Sequence, residues 1–274
     1  MVFNNNLLLA AASAAASGGD TPYVIDNSLV VAVGDTPEII MPNADNGGLK
    51  WTMSVWFKLG SLNTSGSGDT NRYTLVSVLD GSSNGTVIEI SSSGESKQDQ
   101  IDWKDQISGG AAARRNPVRV FRDPTAWYHV VCHYDSANTV AGSRMTMWIN
   151  GEKQTVFNNT TDPNLSQKSQ WGGSTEDVDI FNQANARYWD GYVSQFVWIY
   201  NQDYTASNFG EYDTNGVWIP KDLSSLTFTS STKSFYLDFA DSSDLDKDVS
   251  GLGNNGTGTT GITSSSQVVD TPSN

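Results

Sequence analysis

Hydrophobic and polar residues alternate with a period of two along many short segments of the chain. The segment WYHVVCHY, residues 127–134, is rich in β-branched and aromatic side chains, and its alternating positions fit the two faces of a β-strand. The segment MTMWI follows the same pattern, and Asn150 and Gly151 directly after it favour the positive φ angles of a type I′ turn. The stretch RMTMWINGEKQTVF therefore predicts a hairpin.

Turn-forming Gly, Ser, Asn and Asp residues separate these segments, and no helical pattern exceeds a turn or two. The best helical candidate is TASNFGEY, around Phe209. Many short strands without intervening helices indicate an all-β sandwich or jelly roll. The predicted strands are 29–33, 51–59, 73–79, 86–90, 100–103, 118–121, 127–134, 144–149, 154–157, 188–200 and 235–239.

His129 and His133 lie four residues apart, which on a helix is the spacing of a zinc-binding pair. On a strand that rises about 3.3 Å per residue, the two imidazoles share one face but stand ~13 Å apart. They cannot hold the same ion. The pattern favours two histidines with hydrogen-bond partners on one face of a sheet.

The composition narrows the possible functions. The 274 residues are enough for one large all-β domain or two small ones, and for a substantial core. The 30 acidic and 16 basic residues give a net charge of −14, which repels phosphate backbones and anionic membranes, so we expect no nucleic-acid binding. No apolar run approaches the length that spans a bilayer, so we expect no membrane insertion. The lone Cys132 has no internal disulfide partner and is predicted to be a small buried hydrophobic residue.

The chain opens with MVFNNNLLLAAASAAASGGD, an apolar run followed by small residues. Asparagines stand where a secretory signal carries Lys or Arg, so we interpret residues 1–22 as an uncleaved arm and 23–274 as the folded domain. Burying Leu7, Leu8 and Leu9 would stabilise by about 1.5–3 kcal/mol each, but only against a partner surface. These leucines are predicted to anchor the chain in an assembly.

Four segments, in order, resemble signatures of laminin-G-like domains of the concanavalin A-like superfamily: WTMSVWFKLG, WYHVVCHYD, MTMWINGEKQ and YWDGYVSQFVWIYNQDYTASNFGE. The resemblance runs from Trp51 to Glu211. It implies a two-sheet antiparallel jelly-roll sandwich. Members of the superfamily mostly bind glycans, proteins or calcium, so the resemblance also implies a binding function.

A second resemblance covers nearly the whole chain. The opening segment, VFRDPTAWYHVV, FGEYDTNGVWIPK and the ending FYLDFADSSDLDKDVSGLGNNGT are similar to structural proteins of tailed bacteriophages from marine bacteria. This resemblance implies a virion protein, such as a head or tail appendage or a decoration protein. Its partners would be other virion proteins and sister subunits in a homo-oligomer.

The superfamily includes glucanases, whose catalytic strand carries carboxylates at alternating positions, Glu-x-Asp-x-(x)-Glu. The nearest approaches are STEDVDIF, with Glu176, Asp177 and Asp179, and VIEIS, with Glu89. Neither completes the pattern, and the first is typical of a solvated acidic loop. No Ser-His-Asp or Cys-His grouping is visible, so we expect no enzymatic activity and no required cofactor.

The segment DSSDLDKDVSG offers Asp241, Asp244, Asp246 and Asp248, and clustered carboxylates on a turning loop suit calcium. The segment departs from the twelve-residue calcium loop at the positions that require glycine and glutamate. Two interpretations stay open: a bound calcium ion, or a polar turn whose charge is partly offset by a lysine.

The segment ARRNPVRVFRDP concentrates Arg114, Arg115, Arg119 and Arg122 in an acidic chain. Guanidinium groups make bidentate contacts with carboxylates. These arginines could therefore bind acidic neighbours in an assembly, or they could pair with carboxylates of their own chain. The sequence does not separate the two.

The tryptophans fall into two groups by their neighbours. Trp103, Trp171 and Trp189 border polar loops, where an exposed indole could stack on a sugar, although packing beneath a loop is the alternative. The others lie in predicted strands and are expected in the core: Trp51, Trp56, Trp127, Trp148 and Trp198.

The segment from Phe235 to Phe239 resembles the start of a laminin-G-like domain but has too few residues after it to build one. We therefore predict that it returns as a strand to the preceding domain or to a neighbouring subunit. The leading hypothesis for the chain is a non-enzymatic virion protein that displays a lectin-like module and binds host-surface glycan. A secreted bacterial carbohydrate-binding lectin is the alternative, and a degenerate glucanase is the third.

Overall fold

A computed structural model of the chain describes residues 22–62, 72–81, 84–91, 98–107, 110–229 and 233–273. The predicted arm, including Leu7, Leu8 and Leu9, lies outside the described residues except for Pro22. Four short 3₁₀ turns are the helical segments of the described part. Among these residues, no helix has the length and apolar character needed to cross a membrane.

The described residues are dominated by β-strands, as the alternating pattern predicts. The strands are β1 Ser28–Val31, β2 Glu38–Met41, β3 Lys50–Leu59, β4 Tyr73–Leu79, β5 Gly85–Ile90, β6 Ile101–Ile107, β7 Gly110–Pro117, β8 Tyr128–Asp135, β9 Met145–Ile149, β10 Glu152–Lys153, β11 Phe157–Thr161, β12 Val178–Ile180, β13 Gly191–Tyr200, β14 Gly210–Tyr212, β15 Trp218–Pro220, β16 Phe235–Leu237, β17 Gly258–Thr260 and β18 Gln267–Val268.

Two large antiparallel sheets make the sandwich, which confirms the predicted jelly roll. Sheet A has the strand order β10-β9-β8-β3-β13-β1-β18, with β16 also pairing with β13. Sheet B has the order β11-β7-β6-β5-β4-β12-β2-β17. A small two-stranded sheet, β14 with β15, stands apart from both. Consecutive strands pair in β8-β9-β10 and in β4-β5-β6-β7, whereas other neighbours, such as β3 with β13 and β1 with β18, come from distant parts of the chain.

The core between the sheets is strongly aromatic. Trp51 of β3 lies 5.3 Å from Trp103 of β6 and 5.7 Å from Tyr134 of β8, measured between ring centroids. Cys132 is buried in the same core, which confirms its predicted environment. Side chains of opposite sheets therefore interdigitate as they do in other sandwiches.

Sheet A is covered on its outer face as well. Val131, Val197 and Ile199 point away from the main core and pack with Phe209 and Leu223 in a second hydrophobic cluster. This is why β13 is buried along nearly its whole length. A strand covered on both faces reads as a continuous apolar run.

The C-terminal segment returns to the domain, as predicted. β16 pairs with β13, with Phe235 opposite Trp198 and Leu237 opposite Phe196. Farther along, β17 pairs with β2 and β18 pairs with β1, so three short strands join both sheets. The segment is therefore an integral part of the sandwich.

Two predicted strands are wrong. Residues 118–121 lie beyond the end of β7 at Pro117, and only Phe157 of the predicted strand 154–157 belongs to β11. Arg114 and Arg115 of β7 have long charged side chains and give no apolar alternation, so the strand itself was missed. Sheet pairing with β6 and β11, rather than local propensity, makes this segment a strand.

Candidate functional site

The three tryptophans predicted to bind sugar are core residues. Trp103, Trp171 and Trp189 are all 0% exposed. Trp171 stacks on Trp198 at a centroid distance of 5.4 Å, and Trp189 meets Phe57 edge-on at 5.5 Å. An indole with both faces covered cannot stack on a sugar ring, so the prediction is wrong. The loops that carry Trp171 and Trp189 turn these side chains inward between the sheets.

A concave aromatic site lies instead on the outer side of sheet A, beneath the β14–β15 hairpin. Its volume is about 380 Å³, which is within the size range of small-ligand sites. We call it the aromatic pocket. It is lined by Trp148, Gly151, Thr205, Ala206, Ser207, Gly210, Glu211, Tyr212, Trp218 and Lys221.

Trp218 forms the inner wall of the aromatic pocket because two glycines make room for it. A methyl group on Gly210 would lie 2.5 Å from the Trp218 ring, and one on Gly151 would also overlap the indole. Gly151 has a φ angle of +79°, as the type I′ turn after β9 requires. The hairpin turn and β14 are thus both shaped around one indole.

A hydrogen bond and ring stacking fix the orientation of Trp218. Its Nε1 donates to Nδ1 of His129 at 3.0 Å, and the two rings stack with centroids 6.0 Å apart. On its other side His129 stacks on Trp56 at 4.6 Å. The three rings form a continuous column from sheet A to the pocket.

His129 must be neutral to support this column. An indole N–H only donates, so Nδ1 of His129 is the acceptor and Nε2 carries the proton that faces Ser54 Oγ at 2.8 Å. Complete burial lowers the pKa of His129 to about 3. His129 therefore stays uncharged at physiological pH, which agrees with the predicted structural role.

The rim of the aromatic pocket combines an exposed aromatic face with polar groups. Tyr212 is 52% exposed, meets Trp218 edge-on at 4.9 Å, and donates its hydroxyl to the carbonyl oxygen of Asn150 at 3.1 Å. Glu211 and Lys221 lie 4.0 Å apart across the rim. Aromatic faces beside mixed donors and acceptors suit the C–H and hydroxyl groups of a sugar.

The sequence pattern missed this site because its parts come from three segments. Trp148 was assigned to the core, yet it is only partly buried and packs against the outer cluster of sheet A. Its alternation with Met147 and Ile149, which face the main core, was the signal that it points outward. Trp127 likewise lies outside the main core, whereas Trp51, Trp56 and Trp198 are buried as predicted.

All four clustered arginines pair within the chain. The structure therefore supports internal pairing over the predicted assembly contact. The side chain of Arg115 is only 3% exposed, and its Nε also donates to the carbonyl oxygen of Met145 at 3.0 Å. The pairs are Arg114 with Asp102, Arg115 with Asp162, Arg119 with Glu152, and Arg122 with Asp99.

The four aspartates of the predicted calcium loop do not share one common site. Asp241 accepts hydrogen bonds from Ser243 and Lys247. Asp248 accepts them from the backbone of Tyr236 and Ser250, so it ties the loop to β16. Asp244 and Asp246 lie close enough to share a hydrogen bond, which helps burial to raise the pKa of Asp246. Calcium binding at this loop stays a prediction.

Elsewhere in the described ranges, one group of three side chains has potential ligand atoms within 4.8 Å of one another: His133, Asp135 and Asp203. The ammonium group of Lys50 already lies among them, 2.8 Å from Asp203 and 3.5 Å from Asp135. A metal ion would have to displace this lysine. His133 also contacts Thr52 at 2.9 Å, so both histidines have hydrogen-bond partners, as predicted.

The carboxylates considered for hydrolysis have other surroundings. Glu89 is fully buried and lies 2.5 Å from both Arg72 and Lys104. Glu176 is exposed. Asp179 is partly buried on β12, and this burial, with the nearby charge of Glu38, raises its pKa to about 6. Because Glu89 is 0% exposed and lies among cations, a substrate cannot reach it in this structure.

The chain matches one protein family, and its fold is similar to that of several solved structures. Residues 33–208 match the family described as the concanavalin A-like lectin/glucanases superfamily. No curated protein sequence matches the chain significantly.

Three solved structures illustrate the likeness in fold. A candidate carbohydrate-binding protein of Bacteroides ovatus is 14% identical, with a TM-score of 0.54 over 92% of this chain and 62% of its own. A heptameric pentraxin of Limulus polyphemus is 13% identical, with a TM-score of 0.42 over 65% of this chain and 77% of its own. Domains LG4-5 of the mouse laminin alpha1 chain are 9% identical, with a TM-score of 0.43 over 69% of this chain and 46% of their own. The chain thus spans less than two thirds of the Bacteroides and laminin chains.

Proposed function

The chain belongs to the concanavalin A-like lectin/glucanases superfamily, and from this membership we propose that it is a non-catalytic lectin-like module that binds glycan in the aromatic pocket. The observation that carries the proposal is the pocket itself. Tyr212 presents an exposed face beside Trp148 and the supported ring of Trp218, with charged and hydroxyl groups around the rim. Such a surface offers both stacking and hydrogen bonds to a sugar.

The architecture of the pocket supports preorganised binding. Trp218 is held by a hydrogen bond, ring stacking and two close glycines, so it loses little freedom when a ligand arrives. Ser207 lies within the short 3₁₀ turn Ala206–Asn208, and a capping box between Thr205 and Asn208 fixes this part of the rim. The candidate carbohydrate-binding protein of Bacteroides ovatus shares this fold over most of the chain, which is consistent with the proposal.

The test is a glycan array that includes bacterial surface polysaccharides, probed with the full chain and two variants. Tyr212→Ala removes the exposed ring and should weaken binding by about tenfold. Phe157→Ala, a partly buried aromatic residue on sheet B, is the control and should bind like the unmodified chain. Equal binding by the Tyr212 variant would contradict the proposal, as would binding lost equally in both variants.

The absence of catalysis is part of the same proposal. Glu89 is held by cations, and the aromatic pocket includes a single carboxylate, Glu211. Paired carboxyl groups are needed for the usual glycoside hydrolysis. We expect no reducing sugar to be released from β-glucans or from glycans bound on the array. Release that is lost in Asp179→Asn or Glu176→Gln would establish the glucanase alternative.

We further propose that the module is displayed on the particle of a tailed bacteriophage, as an appendage or decoration protein with host-surface glycan as its ligand. The support is the resemblance of the quoted segments to such proteins and the apolar sequence of residues 1–22. Mass spectrometry of purified particles should detect the chain, and deleting residues 2–19 should abolish its incorporation. Detection only in culture supernatant would favour the secreted lectin.

A further inference from the structure

A second concave site lies where the start of the described chain meets β16. Two cavities, of about 320 Å³ and 90 Å³, are both lined by Tyr23, Tyr236 and Asp238. We call the pair of cavities the tyrosine pocket. It shares no lining residue with the aromatic pocket. The larger cavity is also lined by Asp222, Leu223, Ser224, Leu226, Phe228, Val249 and Ser250.

Gln195 lies at the base of the smaller cavity in an unusual conformation. It is 2% exposed and has a φ angle of +45°, within the β-bulge that interrupts the pairing of β13 with β3. Its amide nitrogen lies 3.3 Å from the Tyr236 hydroxyl and 3.5 Å from the Tyr23 hydroxyl. Non-glycine residues in this conformation are enriched at functional sites.

Among the described residues, none forms a hydrogen bond with the buried amide oxygen of Gln195. Whichever way the amide group is turned, one of its polar atoms lacks a partner within the described ranges, where the two tyrosine hydroxyls are the groups bonded to it. Leaving such a group unsatisfied is costly and rare in folded proteins. The oxygen itself is closed to solvent, so a donor in the smaller cavity can reach it only when the Gln195 side chain turns toward the cavity.

The tyrosine pocket is strongly negative. Asp222 and Asp238 line the larger cavity, Asp26 lines the smaller one, and none of the lining residues in the described ranges is basic. The nearby Lys247 pairs with Asp241 at 3.1 Å. Burial first, and then the charges of Asp222 and Asp238, raise the pKa of Tyr23, so the fields of both carboxylates meet at its hydroxyl.

We propose that the tyrosine pocket binds a primary alkylammonium cation. An ammonium group has three N–H donors, which match the carboxylate of Asp238, the two tyrosine hydroxyls and, once its side chain turns, the amide oxygen of Gln195. The tyrosine rings offer cation–π contacts. The alkyl chain would lie along Leu226 and Phe228, which makes an alkylamine a better match than a hydroxyl-rich amino sugar.

The test is an NMR titration of the ¹⁵N-labelled full chain with n-butylammonium chloride. The backbone amides of Gln195, Tyr236 and Asp238 should shift and saturate. Neutral n-butanol and sodium butyrate, which keep the alkyl chain, should bind at least about tenfold more weakly because they lack the charge contact. Equal binding by n-butanol, or binding by glucosamine without binding by n-butylammonium, would overturn the proposal.

Charge-removing variants locate the site. Asp238→Asn should weaken n-butylammonium binding by about tenfold. Asp222→Asn should weaken n-butylammonium binding as well. It is the second test in case Asp238→Asn disturbs the turn at Ala240, whose backbone N–H donates to Asp238. Glu176→Gln, which makes the same change of net charge at an exposed position, and Tyr212→Ala in the aromatic pocket should leave it unchanged. Loss of affinity in Glu176→Gln equal to that in the pocket variants would refute a specific site.

Discussion

The imidazole of His129 is held between two indoles and is 1% exposed. Protonation would place a charge in a dry environment and would remove the lone pair that accepts the Trp218 hydrogen bond. Burial accordingly lowers the pKa of His129 from 6.5 to about 3. The residue couples the stability of the aromatic pocket to pH.

The sign of this coupling gives the first prediction. Because the folded state binds the His129 proton more weakly than the unfolded state, stability is full above pH 6.5 and falls as the pH drops toward 3. Between pH 7.5 and pH 5 the loss is about 2 kcal/mol. His129→Gln can still bond to Trp218 and does not titrate, so urea unfolding of this variant should lack that part of the loss. The control His133→Gln should retain this part of the loss, although it removes the smaller contribution of His133, whose pKa burial also lowers. An identical pH dependence in both variants would contradict the assignment.

The contribution of Asp105 to stability has the opposite pH dependence. Asp105 is 1% exposed inside the sandwich and accepts hydrogen bonds from Thr86, Ser169 and Gln167, yet burial raises its pKa to about 6. The folded state therefore binds this proton more tightly, and stability is lost as the pH rises from about 4 to 6.

We predict that Asp105→Asn gains stability relative to the unmodified chain as the pH rises from 4 to 7, by about 2 kcal/mol. The measurement is the free energy of unfolding at both pH values. Asp177→Asn, an exposed carboxylate, is the control and should show a far smaller change. If the difference in unfolding free energy between Asp105→Asn and the unmodified chain does not vary with pH, Asp105 is not the titrating group.

At the scale of residues, the local sequence pattern predicted the environment of a side chain well where the face of the strand alone determines it. Cys132 and both histidines were predicted to lie on one strand, and the histidines to have hydrogen-bond partners, as the structure shows. Trp171 was misassigned because a loop sequence does not reveal whether its side chain turns inward. Trp148 was misassigned because sheet A has apolar surface on both faces.

Among the elements, the β14–β15 hairpin depends on close approach of Gly210 to Trp218. We predict that Gly210→Ala lowers the free energy of unfolding by about 1–3 kcal/mol and weakens glycan binding, because the added methyl displaces the indole. Gly258→Ala on β17 is the matched control, since it has open space around a new methyl group. Equal effects of the two substitutions on unfolding would show that the hairpin tolerates the shift.

The returning strand β16 should be essential for stability. Phe235 is 0% exposed and lies against Phe196 and Trp198, so Phe235→Ala should cost about 3–5 kcal/mol in thermal or urea unfolding. Leu165→Ala, at a side chain that is 58% exposed, is the control and should change little. A small effect of Phe235→Ala would mean that the C-terminal segment packs loosely on the sandwich.

The elements that the sequence predicted are those with clear alternation and a buried face, such as β3, β4 and β8. The strands β2, β12 and β17 were missed. They contain three or four residues each, and pairing between distant segments rather than local pattern holds them in sheet B. The return of β16 was predicted from a resemblance and could not have been derived from its length.

For the whole molecule, the family match ends at residue 208, close to where the hairpin that completes the aromatic pocket begins. The pocket therefore joins a strand of the shared sandwich, which carries Trp148, to a later segment that carries Tyr212 and Trp218. The net charge of −14 disfavours anionic ligands at long range. We expect a neutral glycan, bound with little dependence on salt.

The measurement that tests the central claim most directly is NMR observation of the indole N–H signals during titration with the glycan that binds best on the array. The account predicts that the signals of Trp148 and Trp218 shift and saturate, while those of the buried Trp103, Trp171 and Trp189 do not. Shifts confined to other tryptophans, or saturable binding that leaves Trp148 and Trp218 unchanged, would contradict the aromatic pocket as the glycan site.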